Sequence, residues 1–126
     1  MATRTGSEEG ELRNVLDKWA EGIARHQPTM VAALFTKDAL FQGFDPAPGF
    51  GRAYVEAYYN KQPIGLTASY ELLSVRPLSD GIMSAFARVA FDRPDGPVPV
   101  YLTLVAERSG RSWQISHYHV SKILQG

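Results

Sequence analysis

Apolar residues recur at helical spacing near the start of the chain: Leu12, Val15, Leu16, Trp19 and Ile23, with Glu11, Asp17, Lys18, Glu21 and Arg25 mostly on the other side. That pattern predicts an amphipathic helix ending near His26. Residues 1–8 are polar and read as a flexible leader, leaving 9–126 as the domain proper. Pro28 cannot continue a helix but suits the first turn of a new one, whose apolar face is Met30, Val31, Leu34 and Phe35. Thr36-Lys37-Asp38 reads as a turn, residues 39–44 as a short strand, and Asp45-Pro46-Ala47-Pro48-Gly49 as a loop. Arg52 to Lys61 is the third predicted helix, carrying Tyr54, Val55, Tyr58 and Tyr59, and Pro63 and Gly65 end it.

Beyond Gly65 the period changes from helical to alternating. Runs rich in Val, Leu, Phe and Tyr cover about 66–77, 82–92, 98–108 and 112–123, separated by Asp80-Gly81, Asp95-Gly96 and Ser109-Gly110. Such dipeptides between alternating runs are hairpin signals, and short hairpins force antiparallel neighbours. The strands are long, so the sheet should bend strongly at bulges. Helices first and a strand meander afterwards predict an α+β fold, a cone-shaped curved antiparallel sheet capped by three N-terminal helices. Such a cap leaves a concavity suited to an apolar ligand. The strands carry apolar residues on both faces, because Val98, Val100, Leu102 and Leu104 alternate with Tyr101 and Val105. A convex face of that kind predicts a homodimer.

A length of 126 residues suits one domain, and 44% hydrophobic content can build a core without staples. Thirteen basic residues balance thirteen acidic ones, so no net charge draws the chain to nucleic acid or an anionic membrane. The absence of cysteine excludes disulfides, thiolate ligands and a cysteine nucleophile. The start of the chain is not signal-like and no stretch approaches a membrane span, so the expected location is cytoplasmic. There is no Gly-x-Ser-x-Gly elbow, phosphate loop or dinucleotide fingerprint, and no cofactor is expected.

Specific motifs carry a resemblance. Trp19 in a first helix, Ala33-Leu34-Phe35-Thr36-Lys37-Asp38-Ala39, and Gly51-Arg52 opening a helix resemble the nuclear-transport-factor-2-like superfamily, which includes SnoaL-like polyketide cyclases and ketosteroid isomerases. The likeness covers roughly residues 11–123 and implies the cystatin-like fold. Phe41-Gln42-Gly43-Phe44-Asp45-Pro46, Tyr58-Tyr59, Leu102-Thr103-Leu104-Val105, Trp113-Gln114-Ile115 and Tyr118-His119-Val120-Ser121 resemble the SgcJ/EcaC-type branch of enediyne antibiotic gene clusters. That branch implies an accessory protein for a polyene-like polyketide intermediate, with a polyketide synthase as a partner.

The chemistry of the relatives does not carry over intact. The ketosteroid isomerase acid–base positions match Trp19, Gly43 and Leu102, of which the last two cannot move protons. Polyketide cyclases lean on a late acid, and the late strands offer only Glu107 beside Arg108, a pair that reads as surface charge. His117 and His119 remain as candidates for general acid–base work. Strict alternation puts Trp113, Ile115, His117, His119 and Ser121 on one face, which the resemblance turns toward the pocket. His-x-His supplies two metal ligands where zinc uses three or four, so no metal is expected. The expected ligand wall is Trp19, Phe41, Tyr58, Leu102, Ile115, His117 and His119, with Phe91 or Tyr70 as further aromatic candidates. Three functions follow: a binder of an apolar polyketide intermediate, an isomerase or cyclase using His117 or His119, and a non-catalytic association domain.

Overall fold

In the computed structural model, residues 2–44 and 47–123 are described. The Asp45-Pro46 part of the expected loop lies outside the described residues. Helix α1 (Ala2–Ala24) is followed by α2 (Pro28–Ala32), strands β1 (Phe35–Gln42) and β2 (Gly49–Phe50), and helix α3 (Arg52–Asn60). Four long strands complete the chain: β3 (Thr67–Ser79), β4 (Ile82–Arg93), β5 (Gly96–Ser109) and β6 (Ser112–Lys122).

The apolar stripe of α1 is buried in full: Leu12, Val15, Leu16, Trp19 and Ile23 all join the core. The helix starts at Ala2, so it runs through the segment read as a polar leader. Once a nucleus exists, each further residue adds a backbone bond, and a polar sequence does not prevent that. At its other end His26 takes a left-handed φ of 52°, and Gln27 N–H donates to Gly22 O at 2.9 Å, closing the helix with a reversed turn. In α2, Val31 and Ala32 are buried; Phe35, expected on that helix, instead opens β1. Arg52, at the start of α3, donates from Nε to the Phe35 carbonyl at 2.8 Å and ties the helix to the base of β1.

The sheet has six strands in the order β2-β1-β6-β5-β4-β3. The β3 to β6 meander is antiparallel, with Gly81, Gly96 and Gly110 at positive φ beside its turns. One pair departs from the expected antiparallel sheet: β1 lies parallel to β6. Hairpin reasoning does not reach it, because the whole meander connects these two strands and a long connection permits parallel pairing. Between Phe35 and Leu40 their register slips, so the predicted turn at Thr36-Lys37-Asp38 is an out-of-register stretch inside a strand.

Bulges bend the sheet as strand length predicts. On β3 the extra residues are Leu73 and Leu78, and both are exposed. On β6 the extra residue is Ser116: Val105 pairs with His117 and Ala106 with Ile115. Ser116 Oγ donates back to Val105 O at 3.3 Å. Trp113 and Ile115 therefore face the helices, and beyond the bulge so do Tyr118 and Val120.

Candidate functional site

Inside the cone a cluster of aromatic side chains packs tightly among aliphatic ones. Phe41 stacks on Tyr118 with ring centroids 4.6 Å apart, and meets Tyr58 edge-on at 4.8 Å and Phe35 at 5.7 Å. Trp19 packs edge-on against Phe91 at 5.9 Å. One polar chain crosses this core. Trp19 Nε1–H donates to Tyr59 OH at 3.0 Å, and Tyr59 OH donates to Tyr118 OH at 3.3 Å. Indole and phenol groups are buried at little cost when their polar tips are paired in this way.

Burial pushes both phenols well above the ordinary tyrosine value. They hold their protons and act as donors, not as bases. The raised native values also fix a pH dependence. Their contribution to stability is complete below the unfolded-state value, about pH 10. It is lost as pH rises through the higher native values. Thermal melts are expected to be level between neutrality and about pH 10 and to fall steeply above it, with Tyr118→Phe showing a shallower fall.

Among the described residues, the core is packed tightly where a chamber was expected. Trp19, Phe41, Leu102 and Ile115, expected to wall a cavity, have no exposure and pack against one another or their neighbours. Gly43 shows the same economy. A Cβ there would lie 2.6 Å from Cζ and OH of Tyr58, so this phenol fills the place a side chain would need. The position matched to the isomerase base is occupied by Tyr58, whose OH accepts from Phe44 N–H at 2.8 Å.

His117 and His119 are not in the core. The Ser116 bulge inverts the alternation, so both histidines point to the outer face: His117 lies opposite Val105 and Leu40, and His119 opposite Thr103 and Gln42. The expectation that they face a pocket is thereby corrected. No group of three His, Asp or Glu residues close enough to hold a metal occurs among the described residues. Tyr70 is also elsewhere. Its OH donates to Asp17 Oδ1 at 2.7 Å, tying β3 to α1, and burial together with that bond pushes its pKa up to about 12.

What the fold does present is a depression at the open end of the cone. Phe44, Tyr58, Tyr59, Gln62, Leu66, Phe91, Arg93 and Val98 line it. Its base encloses about 10 Å³, room for one water, and it widens into about 300 Å³ shared with solvent. The enclosed volume is far below that of a formed small-molecule cavity, so a ligand here would lie on a shallow, open surface. Tyr58 is the one residue of the expected wall that lies here; Phe91, a further candidate, also does. Phe44, Tyr59, Gln62, Leu66, Arg93 and Val98 were not among the expected wall residues. Arg93 had a readable signal, since it continues the inward series Val89, Phe91 along β4. Wall residues of this kind can stack on a flat or unsaturated ligand, but they include no carboxylate or imidazole for proton transfer.

Comparison with known proteins agrees with this fold. The SnoaL-like domain family matches residues 12–125, and the chain belongs to that family. Its fold is similar to that of a domain of unknown function with a cystatin-like fold from Nostoc punctiforme (TM-score 0.81, 18% identity, covering 94% of this chain and 79% of that one). It is also similar to a ketosteroid isomerase-like protein from Erwinia carotovora atroseptica (TM-score 0.75, 16% identity, 92% and 96%). A third likeness is to a type 2 hexachlorocyclohexane dehydrochlorinase (TM-score 0.83, 12% identity, 98% and 90%). At such identities the likenesses show the fold alone. No curated protein sequence matches the chain. Among the described residues no helix is long and apolar enough to cross a membrane.

Proposed function

We propose that this SnoaL-like domain binds an apolar, unsaturated small molecule at the mouth of its cone, as an accessory protein of enediyne-type polyketide antibiotic biosynthesis. The observation that carries the binding reading is the aromatic wall of Phe44, Tyr58, Tyr59 and Phe91 around an open depression. The biosynthetic setting rests on the branch-specific motifs around Phe41, Tyr58 and Tyr118, with a polyene-like intermediate as ligand, a polyketide synthase as partner and the cytoplasm as location. Isomerase or cyclase chemistry through His117 or His119 has no support at this mouth, because both residues lie on the other face of the sheet.

Methyl cis-parinarate, a neutral conjugated polyene whose fluorescence rises on leaving water, tests the binding reading. Saturable binding at micromolar concentration is expected, weakened several-fold by Phe91→Ala or Tyr58→Ala as stacking area is lost. The absence of saturable binding would refute the reading. Disruption of the gene in an antibiotic-producing strain tests the setting, and unchanged antibiotic output would remove it.

We also infer a homodimer through the outer face of the sheet. Phe86 and Tyr101 stack there at 5.1 Å, and Phe86 and Ile82 stay exposed at 38% and 36%. Light scattering should report twice the mass of the chain, and Phe86→Glu should halve it. A monomer at micromolar concentration counts against this interface.

A further inference from the structure

Among the described residues, the inner face of the meander is apolar, or closed by paired hydroxyls, until the last inward positions of three strands. On β5 this is Arg108, at the opposite end, which lies over the Trp113 ring and pairs with Asp80. Along β4 the inward register runs Met83, Ala85, Ala87, Val89, Phe91 and then Arg93. Beyond the bulge on β6 it runs Tyr118, Val120 and then Lys122, which lies opposite the inward Val100. Both strands are antiparallel to β5, so they run in one direction and finish at the same end of the sheet. Arg93 lies opposite Gly96 and Lys122 opposite Val100, so the two positions are two strands apart, about 10 Å, and four residues apart along β5, about 13 Å.

That end is the mouth. Arg93 lines the depression itself. Lys122 Nζ lies 4.5 Å from the ring centroid of Phe44, another wall residue. The partners of Arg93 are weak. Nη1 donates to Gln62 Oε1 at 3.4 Å, and Nε lies 3.7 Å from Asp95 Oδ1 on a side chain that is 86% exposed. A pair in that setting contributes little and exchanges readily. Among the described residues no carboxylate pairs with Lys122, and no acid occupies the inward register. Among the described residues, the rim of this apolar face thus carries two cations and one weakly paired, exposed carboxylate.

We propose that the mouth selects a carboxylate-headed ligand. Arg93 and Lys122 hold the anionic head, while Phe44, Tyr58 and Phe91 face the apolar body. This rests on the reading of the mouth as a small-molecule site and adds the chemical class of the ligand. The planar guanidinium suits a carboxylate bidentately, and Lys122 adds a point charge from the other side. Because the cone is filled, the body of the ligand lies across the depression and does not enter the core.

The test compares cis-parinaric acid with its methyl ester on the full chain. The acid is expected to bind about tenfold more tightly than the ester, as charge-assisted bonds to one carboxylate provide. Arg93→Met and Lys122→Met keep the apolar stems. Each should weaken the acid several-fold and the ester much less, and the double variant should bring acid and ester to near-equal affinity. Raising salt from about 0.05 M to about 0.5 M should weaken the acid alone. Circular dichroism confirms that the variants fold. Equal binding of acid and ester by the unaltered chain, or variants that weaken both probes alike, would overturn the head-group inference while leaving the site in place. Failure of both probes to bind would remove the site reading and this inference with it.

Discussion

Replacing Phe41 with alanine is expected to lower the melting temperature of this domain by about 10–20 °C, from a loss of roughly 3–5 kcal/mol. Phe41 has no exposure, and its ring is surrounded by other rings. Tyr118 lies against its face, while Tyr54, Tyr58, Tyr59 and Phe35 present edges or edge-on rings. Rigid aromatic neighbours collapse poorly into a void, which places the variant toward the costly end of large-to-small substitutions. The consequence reaches the candidate site, because Phe41 backs Tyr58 at 4.8 Å and Tyr58 forms part of the mouth. Total stability for such a domain is on the order of 5–15 kcal/mol, so a sizeable unfolded fraction follows at moderate temperature. Phe41→Leu should cost much less. Thermal denaturation followed by circular dichroism measures both, and a shift under about 3 °C for the alanine variant would show that the cluster relaxes around the gap.

The parts of the fold that were legible are those where one local rule decides. The helical stripe from Leu12 to Ile23 is read from spacing alone, and the meander from its three glycine-bearing turns. The parts that were not legible depend on a single inserted residue or on summed volume. Trp113, Ile115, Tyr118 and Val120 would alternate strictly if Ser116 were absent. Counting Ser116 as a ladder member turned the two histidines inward and Tyr118 outward, the reverse of the structure. Nothing in the local sequence marks Ser116 as a bulge; only the larger apolar volume of Tyr118 and Val120 argues for burying that alternative set. The filled cone was illegible for a different reason. Trp19 and Phe41 were rightly placed inward, yet whether they and Tyr118 surround a cavity or close it depends on distances between elements. The mouth was half legible: Tyr58 and Phe91 were candidates and Arg93 followed from the alternation of β4, while Lys122 became visible only once the Ser116 bulge was placed.

Leu102→Asp, which restores an acid where the resemblance to ketosteroid isomerases places one, is expected to prevent folding at neutral pH. Leu102 has no exposure and lies between Ala87 of β4 and Val120 of β6, both inward and apolar. An ionised carboxylate there would lose its hydration without gaining a counter-ion, so burial raises its native pKa far above the unfolded value of about 3.9. A raised native pKa means that stability is least impaired below the unfolded value and is lost as pH rises through the native one. Any folded population of the variant should therefore grow on acidification toward about pH 4, while the parent domain gains nothing there from this position. Leu102→Asn separates the two components of the effect. It carries a buried polar group of similar size without the titration, so it should be destabilised at every pH with no acid rescue. Denaturant unfolding of both variants between about pH 4 and pH 7 reads the difference. A Leu102→Asp protein that is fully folded and pH-independent at neutrality would mean that water or a cation reaches this position, and that the interior is more open than its packing indicates. The expected failure bears on function, because an acid that the packed interior cannot accommodate cannot serve as a proton carrier at this position.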